Sequence, residues 1–446
     1  MVQVLWLALG FISLGAQAQA EPVSHFWGTS SPWFSVSSEI DAAIPSGCQV
    51  TFVQAMSRHG SRNPNASKLP TLKALINRIQ TSVTRYGEGF EFIKTYEPTF
   101  VADQLTPFGK KESTDSGRWF YKRYRALAAE NDPFIRSMAE NRVLESIQLW
   151  KSGFYGAKMD DGHPQPDKSA GHVQVLPITE GFNNTLHHGL CTAFENSYSA
   201  RSKAAQAQWL QEFAPPVAVR INKNLPGAEF TLKDVHLFMQ LCPLQTVLNG
   251  KTSEFCSLFT AEEWKDFEYL ETLNKFYTWS KGNPLGPTQG VGFTNELIAR
   301  LTRQPVVDHT STNATLTGDP ATFPLDKKIY VDFTRGNTMV AVLSALGLFD
   351  HVQPLDKARR ASETSQQQAE GFKVSQLIPF AGRMFVEKMK CDGGDKDEEF
   401  VRVIVNDRVM QLQGCDSDEL GRCKLDRFVD SLDFAKRGGE WDKCFP

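Results

Sequence analysis

The stretch "GCQVTFVQAMSRHGSRNP", residues 47 to 64, decides the fold and most of the chemistry. Its first half carries Val50, Phe52, Val53 and Ala55, a short apolar run of the kind that forms a buried strand. The run leads without a break into Arg58, His59, Gly60 and Arg62. Polar residues placed directly after a buried strand are where open α/β sheets carry their ligands. The residue types suit an anion. An arginine fork matches the oxygens of a tetrahedral phosphate, and a neutral imidazole can attack phosphorus and carry the phosphoryl group. Taken alone, the cluster is equally compatible with a surface salt-bridge group.

Outward from this stretch, strand and helix patterns alternate. Residues 68–82 and 107–130 read as helices, and 132–154 opens with a short apolar run before helical spacing at Val143, Ile147 and Trp150. The middle, 155–285, is mostly helical in pattern. "KKIYVDFTRGNTMVAVLSALGLF" (327–349) reads as a strand over Ile329 to Phe333, a polar turn, then a helix. "RMFVEKMKC" (383–391), "FVRVIVND" (400–407) and "RVMQLQG" (408–414) are strand-like, the last two separated by a tight turn. The order predicts an α/β core formed by 21–154 and 286–446, with an α-helical insertion at 155–285. "ASETSQQQAEG" (361–371) reads as a mobile surface loop, and no internal repeat is visible.

A formal net charge of −3 with 22% charged residues gives no basic field of the kind nucleic acid demands. Residues 1–20 read as a secretory signal: the apolar run Val4 to Leu14 is too short to span a bilayer, and Ala18-Gln19-Ala20 suits a signal peptidase. No later stretch is apolar for ~18 residues, so the mature chain is expected to be soluble, secreted and free of the membrane. The eight cysteines contain no C-x-x-C, which argues against a thioredoxin-like or zinc-ribbon site. In an oxidising compartment they predict four disulfides, with all 105 pairings open. Asn65, Asn183 and Asn313 head glycosylation sequons usable on that route. Neither a metal nor an organic cofactor is called for, and the oligomeric state is not legible.

Taken in order, "SHFWGTSSPWFSV", "GCQVTFVQAMSRHGSRNP", "FIKTY", "LTPFGKKE", "PFIRS", "NNTL", "GNPLGPTQGVGFTNELIARLT", "ATFPLDKKIYVDF", "VRVIVNDRVMQLQGC" and "GRCKLDRFVDSLDFAKRGGEWDKCF" give the chain a resemblance over nearly its whole mature length. It resembles the histidine acid phosphatase family (branch 2), and within it the fungal phytases. The resemblance implies a histidine-phosphatase-like α/β core with a mostly helical inserted domain, and a small anionic, phosphate-type substrate. It makes His59 the nucleophile that becomes phosphohistidine. Arg58 and Arg62 would grip the phosphate, with Arg136 of "FIRS" as the third arginine. It also implies the pairs Cys48–Cys391, Cys191–Cys444, Cys242–Cys256 and Cys415–Cys423.

"DFTRGNTM" (332–339) departs from that pattern. The family carries a His-Asp pair there, in which the Asp protonates the leaving alkoxide; this chain has Arg335 and Gly336. Arg335 can still bind an anion, but Gly336 can donate nothing, and general acid catalysis is worth ~10²–10⁴-fold. Asp332 is expected to serve the strand end. Met138 and Glu140 are expected to alter the pocket wall, with Glu140 the one nearby candidate for a substitute donor. Gly89 stands where phytases use a lysine on the polyphosphate, while Lys94 remains, so phytate is an unpromising substrate. Three readings follow: a phosphomonoester hydrolase with an atypical or missing acid, the same scaffold doing non-hydrolytic chemistry on an anionic small molecule, and an anion-binding protein without activity.

Overall fold

The structure, a computed structural model, describes residues 21–164, 171–358, 371–392 and 398–445. The leader at 1–20 and most of the loop at 361–371 lie outside the described residues.

The apolar run of the opening stretch becomes β1, Cys48–Arg58, in the middle of an eight-stranded sheet. Both faces of β1 are covered, with Val53, Ala55 and Met56 at 0–1% exposure, which is why its apolar residues run on rather than alternate. The other strands are β2 (Phe134–Met138), β3 (Val173–Leu176), β4 (Ile329–Thr334), β5 (Arg383–Cys391), β6 (Phe400–Val405), β7 (Arg408–Val409) and β8 (Cys423–Lys424). Their order is β3-β2-β4-β1-β5-β6-β7, with β8 added to β6. β3, β2, β4 and β1 run parallel, and β4 lies beside β1 in a register from Val53↔Ile329 to Arg58↔Thr334. The strand expected around 50–55 and that expected over 329–333 are therefore neighbours in one sheet. β5 to β8 form the antiparallel half. The tight turn between β6 and β7 has Asn406 and Asp407 both at positive φ, 48° and 69°, the left-handed pair that a two-residue hairpin turn needs. β7 is shorter than "RVMQLQG" suggests, because beyond Met410 the chain leaves the sheet for the loop closed by Cys415–Cys423.

Nine helices of eight or more residues pack around the sheet among the described residues: α1 (Leu69–Ser82), α2 (Pro107–Arg123), α3 (Asn141–Asp160), α4 (Thr192–Asn224), α5 (Leu232–Met239), α6 (Leu241–Asn249), α7 (Ala261–Trp279), α8 (Val291–Thr302) and α9 (Gly336–Ala345). Their starts follow local chemistry. Thr106 caps α2 by accepting the Gly109 N–H, just ahead of Pro107, and Thr260 with Glu263 forms a capping box on α7. The stretch 155–285 is mostly helical, as its pattern predicts, but its edges differ from the expected insertion. Residue 155 lies inside α3, and β3 extends the core sheet from within this stretch. The eight cysteines form Cys48–Cys391, Cys191–Cys444, Cys242–Cys256 and Cys415–Cys423, the four implied pairs. No helix among the described residues is long and apolar enough to cross a membrane.

Candidate active site

The parallel strands deliver their chemistry at one edge of the sheet. β1 ends at Arg58 and is followed by His59, Gly60 and Arg62; β2 ends at Met138 and is followed by Glu140 and Arg142; β4 ends at Thr334 and is followed by Arg335 and Gly336. α3 starts after Glu140 and α9 after Arg335, so two helix N-termini share this edge, and their free N–H groups favour an anion there.

His59 is 2% exposed, and its Nδ1 lies 2.9 Å from the Gly60 carbonyl. A carbonyl can only accept, so Nδ1 carries the proton and Nε2 keeps a lone pair. Burial first, then the charges of Arg58, Arg62 and Arg142, hold the imidazole well below its ordinary pKa, outweighing the Gly60 bond. The ring is thus neutral and of fixed tautomer, with Nε2 left as a free lone pair. Its backbone is fixed too: the His59 carbonyl accepts the Ala381 N–H at 2.9 Å, and the Gly60 N–H donates to Ser146 Oγ at 3.1 Å. Gly60 must be glycine, since a Cβ there would lie 2.3 Å from the Gly109 carbonyl oxygen.

Three arginines surround this ring with donors to spare. Arg58 Nη1 donates to the carbonyls of Thr29 and Ile378, both at 2.6 Å, and its guanidinium lies 4.5 Å from the Phe380 ring centre. Arg62 Nη1 donates to the Asn63 carbonyl at 2.7 Å. Arg142 pairs with Asp103 at 3.2 Å and with Glu140 at 2.7 Å. In all three, the Nε–H is buried without a hydrogen-bond partner among the described residues. Burial and mutual repulsion lower Arg58 to about 9, and burial with repulsion from Arg142 lowers Arg62 to about 10. Buried donors without acceptors are costly, and three of them here, unlike the unpaired nitrogens of Arg78, Arg300, Arg383 and Arg408, lie around one imidazole.

Arg136 is not one of them, contrary to the sequence reading. It stands on β2 opposite Asp332 of β4, and its guanidinium is taken up by Asp332 (2.8 and 3.1 Å) and Glu296 (2.7 Å). Arg300 of α8 joins the same carboxylate at 2.9 Å and the Gln54 amide oxygen at 2.6 Å. Burial disfavours every charge in this lattice, yet the partners raise Arg136 above its ordinary pKa and hold Asp332 below its own. The third arginine of the pocket is Arg142, six residues further on. Only position told the two apart, and the cross-strand register that commits Arg136 to Asp332 is a long-range fact.

The departure at 335–336 has a clear structural outcome. A Cβ on Gly336 would lie 3.0 Å from Ile378 Cδ1 and 3.2 Å from Arg58 Cδ and Nε. A side chain beginning here would need Ile378 or Arg58 to give way by a few tenths of an ångström. Arg335 reaches Glu140 Oε2 at 3.0 Å, while Glu140 Oε1 faces Arg142. Glu140, the candidate substitute donor, thus has a guanidinium beside each of its oxygens. Met138, expected on the pocket wall, is fully buried against Thr334 instead. Asn65, Asn183 and Asn313 are half-buried loop residues; Asn183 donates its amide to the Thr312 carbonyl at 2.9 Å, a bond a glycan there would disturb.

The structure adds residues that no local pattern marked. His187, in the loop after β3, has Nδ1 3.3 Å from Arg335 Nη2. A guanidinium has no lone pair to offer, so Nδ1 accepts and Nε2 bears the hydrogen. Burial, then His188 and Arg335, push this imidazole down to about 3, so it stays neutral in mild acid. Lys275 of α7 donates to Asn337 at 2.9 Å. Burial lowers it to about 8 against the pull of Glu271, helped by Arg58, Lys68 and Arg62, and burial likewise lowers Lys68. Lys94 and Gly89, by contrast, are exposed. No group of three or more His, Cys, Asp or Glu among the described residues is placed to hold a metal ion.

This edge of the parallel strands thus gathers R-H-G-x-R at the end of β1 and a third arginine, Arg142, from the helix that follows β2. The sequence profile of the histidine phosphatase superfamily, branch 2, matches residues 49–406. The chain belongs to this family. It is 45% identical over 430 residues to Phytase A of Aspergillus oryzae, covering 95% of this chain and 91% of the relative. It is also 45% identical over 440 residues to Phytase A of Aspergillus fumigatus, with 97% and 93% covered. Among solved structures it superposes on the D. castellii phytase with a TM-score of 0.76 at 22% identity, covering 96% of this chain and 91% of that one. The Bifidobacterium longum multiple inositol polyphosphate phosphatase bound to inositol hexasulfate gives a TM-score of 0.63 at 13% identity, over 92% and 97%.

Proposed function

We propose that this chain is a secreted phosphomonoester hydrolase that works through a phosphohistidine at His59 and lacks the usual proton donor. The reading rests on one observation above all: Arg58, Arg62 and Arg142 each keep a buried Nε–H unpaired around an imidazole whose Nε2 is free to attack. The arginines would hold the phosphoryl oxygens and neutralise the charge that grows on them. His59 Nε2 would form the bond to phosphorus as the bond to the ester oxygen breaks, and water would later release phosphate and restore the ring. Lys68 and Lys275 give the site further positive charge, which suits a substrate with more than one anionic group. Gly336 and the doubly paired Glu140 leave the departing oxygen without an acid. Esters with good leaving groups, such as aryl phosphates, would therefore turn over far faster than alkyl phosphates, phytate included. The four disulfides and the leader-like segment support export.

The test compares an aryl and an alkyl phosphate, with acid-quenched trapping of the phosphoenzyme. The expected result is a label on His59, loss of turnover in His59→Ala, and a rate gap between the two esters well beyond that of family members with an intact acid. Rapid phytate hydrolysis would overturn the missing-acid reading. The absent donor at Gly336 gives one specific opening for a different outcome: tight phosphate binding with no hydrolysis of either ester would favour binding or non-hydrolytic chemistry on an anionic molecule.

A further inference from the structure

Glu268 of α7 is 5% exposed and lies outside the ring of residues around His59. Its Oε2 accepts the Gly28 N–H at 2.7 Å, and its Oε1 accepts the Ser375 N–H at 2.9 Å. Thr29, the residue after Gly28, gives its carbonyl to Arg58 Nη1; Ile378, three residues after Ser375, gives its carbonyl to the same nitrogen. One carboxylate thus ties together the two chain segments that supply both acceptors of one guanidinium nitrogen. The segments also meet directly, through the Phe380 N–H and the Ser31 carbonyl at 2.9 Å. Close approach is built in on the α7 side: Gly28 has a φ of +57°, and a Cβ there would lie 2.5 Å from Glu271 Cβ.

We propose that Glu268 is the positioning residue for Arg58, acting through the Thr29 and Ile378 carbonyls to fix the guanidinium with its Nε–H turned over to the anion. The inference rests on the phosphate-site reading above and adds the device that organises it. Arginine has about 2 kcal/mol of side-chain freedom to lose, and losing it during folding rather than binding leaves more of the interaction for the ligand. Locking Nη1 on two carbonyls does this, provided the carbonyls are themselves held. A backbone carbonyl in a loop is held only as well as its neighbours, and here the neighbours end on Glu268.

Glutamine at 268 keeps the shape but offers one acceptor and one donor, so either the Gly28 or the Ser375 N–H would face another N–H. The experiment is a double-mutant cycle on the full chain: wild type, Glu268→Gln, Arg58→Ala and the double variant, with inorganic phosphate titrated calorimetrically at pH 8, where the Glu268 carboxyl is ionised. Glu268→Gln should weaken phosphate about tenfold when Arg58 is present and less than about twofold when it is absent. kcat/KM for an aryl phosphate should fall in parallel. Equal losses in both backgrounds, or no loss in either, would show that Glu268 does not act through Arg58. Should Glu268→Gln fail to fold, Ser375→Pro removes the same donor in the first turn of a short helix, where proline is tolerated, and the same pattern is required of it. If Arg58→Ala itself leaves phosphate binding untouched, or wild type binds none, the phosphate-site reading fails and takes this one with it. If Arg58→Ala weakens binding and Glu268→Gln does not, only the positioning role falls.

Discussion

Two arginine clusters hang from the same strands, one pair of residues apart, and they do opposite things. In the lower one, Arg136 and Arg300 meet the buried groups Asp332, Glu296 and Gln54, each with an acceptor within 2.9 Å, although Arg300 keeps its Nε and Nη2 unpaired. In the upper one, Arg58, Arg62 and Arg142 lean on backbone carbonyls or half-exposed acids and keep a buried donor each. The difference is the availability of carboxylates. A buried charge held by buried carboxylates is structure; charges held by carbonyls, or by acids nearer the surface, are the ones the proposed function uses to bind an anion.

The largest effect should come from breaking the lower cluster. Arg136→Ala leaves Asp332 and Glu296 buried with fewer partners, and should lower unfolding free energy by about 3–5 kcal/mol in chemical denaturation. If it instead spares stability and removes phosphate binding, the two clusters have been assigned the wrong way round. The pH dependence of stability separates the clusters next. Burial raises Glu268, beneath the upper cluster, from 4.5 to about 7. A raised carboxyl favours the folded state most below its unfolded value, so this contribution, about 3 kcal/mol, should be lost as pH climbs from roughly 4.5 through 7. Asp332 is depressed by Arg136 and Arg300 against the cost of burial, so its contribution is present above 3.8 and lost as pH falls below that. Denaturation across pH should show both limbs, and Glu268→Gln should flatten only the neutral one.

Restoring the donor sharpens the upper cluster. Arg335→His with Gly336→Asp should raise alkyl phosphatase activity by roughly 10²-fold while leaving aryl phosphate nearly unchanged. Ile378 crowds the new Cβ, so the full gain is expected when Ile378→Val is added. A triple variant that gains nothing would mean that more than a proton is missing. The smallest expected effect is that of Arg142→Ala: phosphate binding weakened by about tenfold, with stability changed by no more than about 1 kcal/mol, because its acid partners keep contact with water. A stability loss like that of Arg136→Ala would erase the distinction.

Much of the fold was legible because the central strands are covered on both faces. "VTFVQAM" and "IYVDF" are mostly apolar without alternation, "RMFVEKMKC" is apolar over Met384 to Val386, and each lies in a strand where expected. β3 was not legible: four residues, half-exposed at the sheet edge, give no apolar run to detect. In the site, Arg58, His59 and Arg62 were carried by one contiguous motif. Arg136 lies on the short strand β2 and Arg142 in the helix just after it, and telling their roles apart required the register with β4. His187, Lys68 and Lys275 reach the pocket from three separate segments, and periodicity is silent about convergence of that kind. The sequence did show that Gly336 supplies no acid. That Arg58 lies close against Gly336 is a matter of packing.

The bond between Cys191 and Cys444 has a consequence for the order in which the molecule is made. Cys191 closes the loop that carries His187, and Thr192 donates to the Cys444 carbonyl at 2.8 Å, while the Leu186 carbonyl accepts from Thr334 at 2.6 Å. One wall of the pocket is therefore anchored to residues separated from it by 253 positions of chain. During synthesis β1, with His59 at its end, emerges early, but the His187 wall must wait for the final turns before it can be locked. A nascent chain would hold its nucleophile long before it holds a finished receptor, and a message broken just short of codon 444 would yield a protein complete in its motif and unfinished in its site.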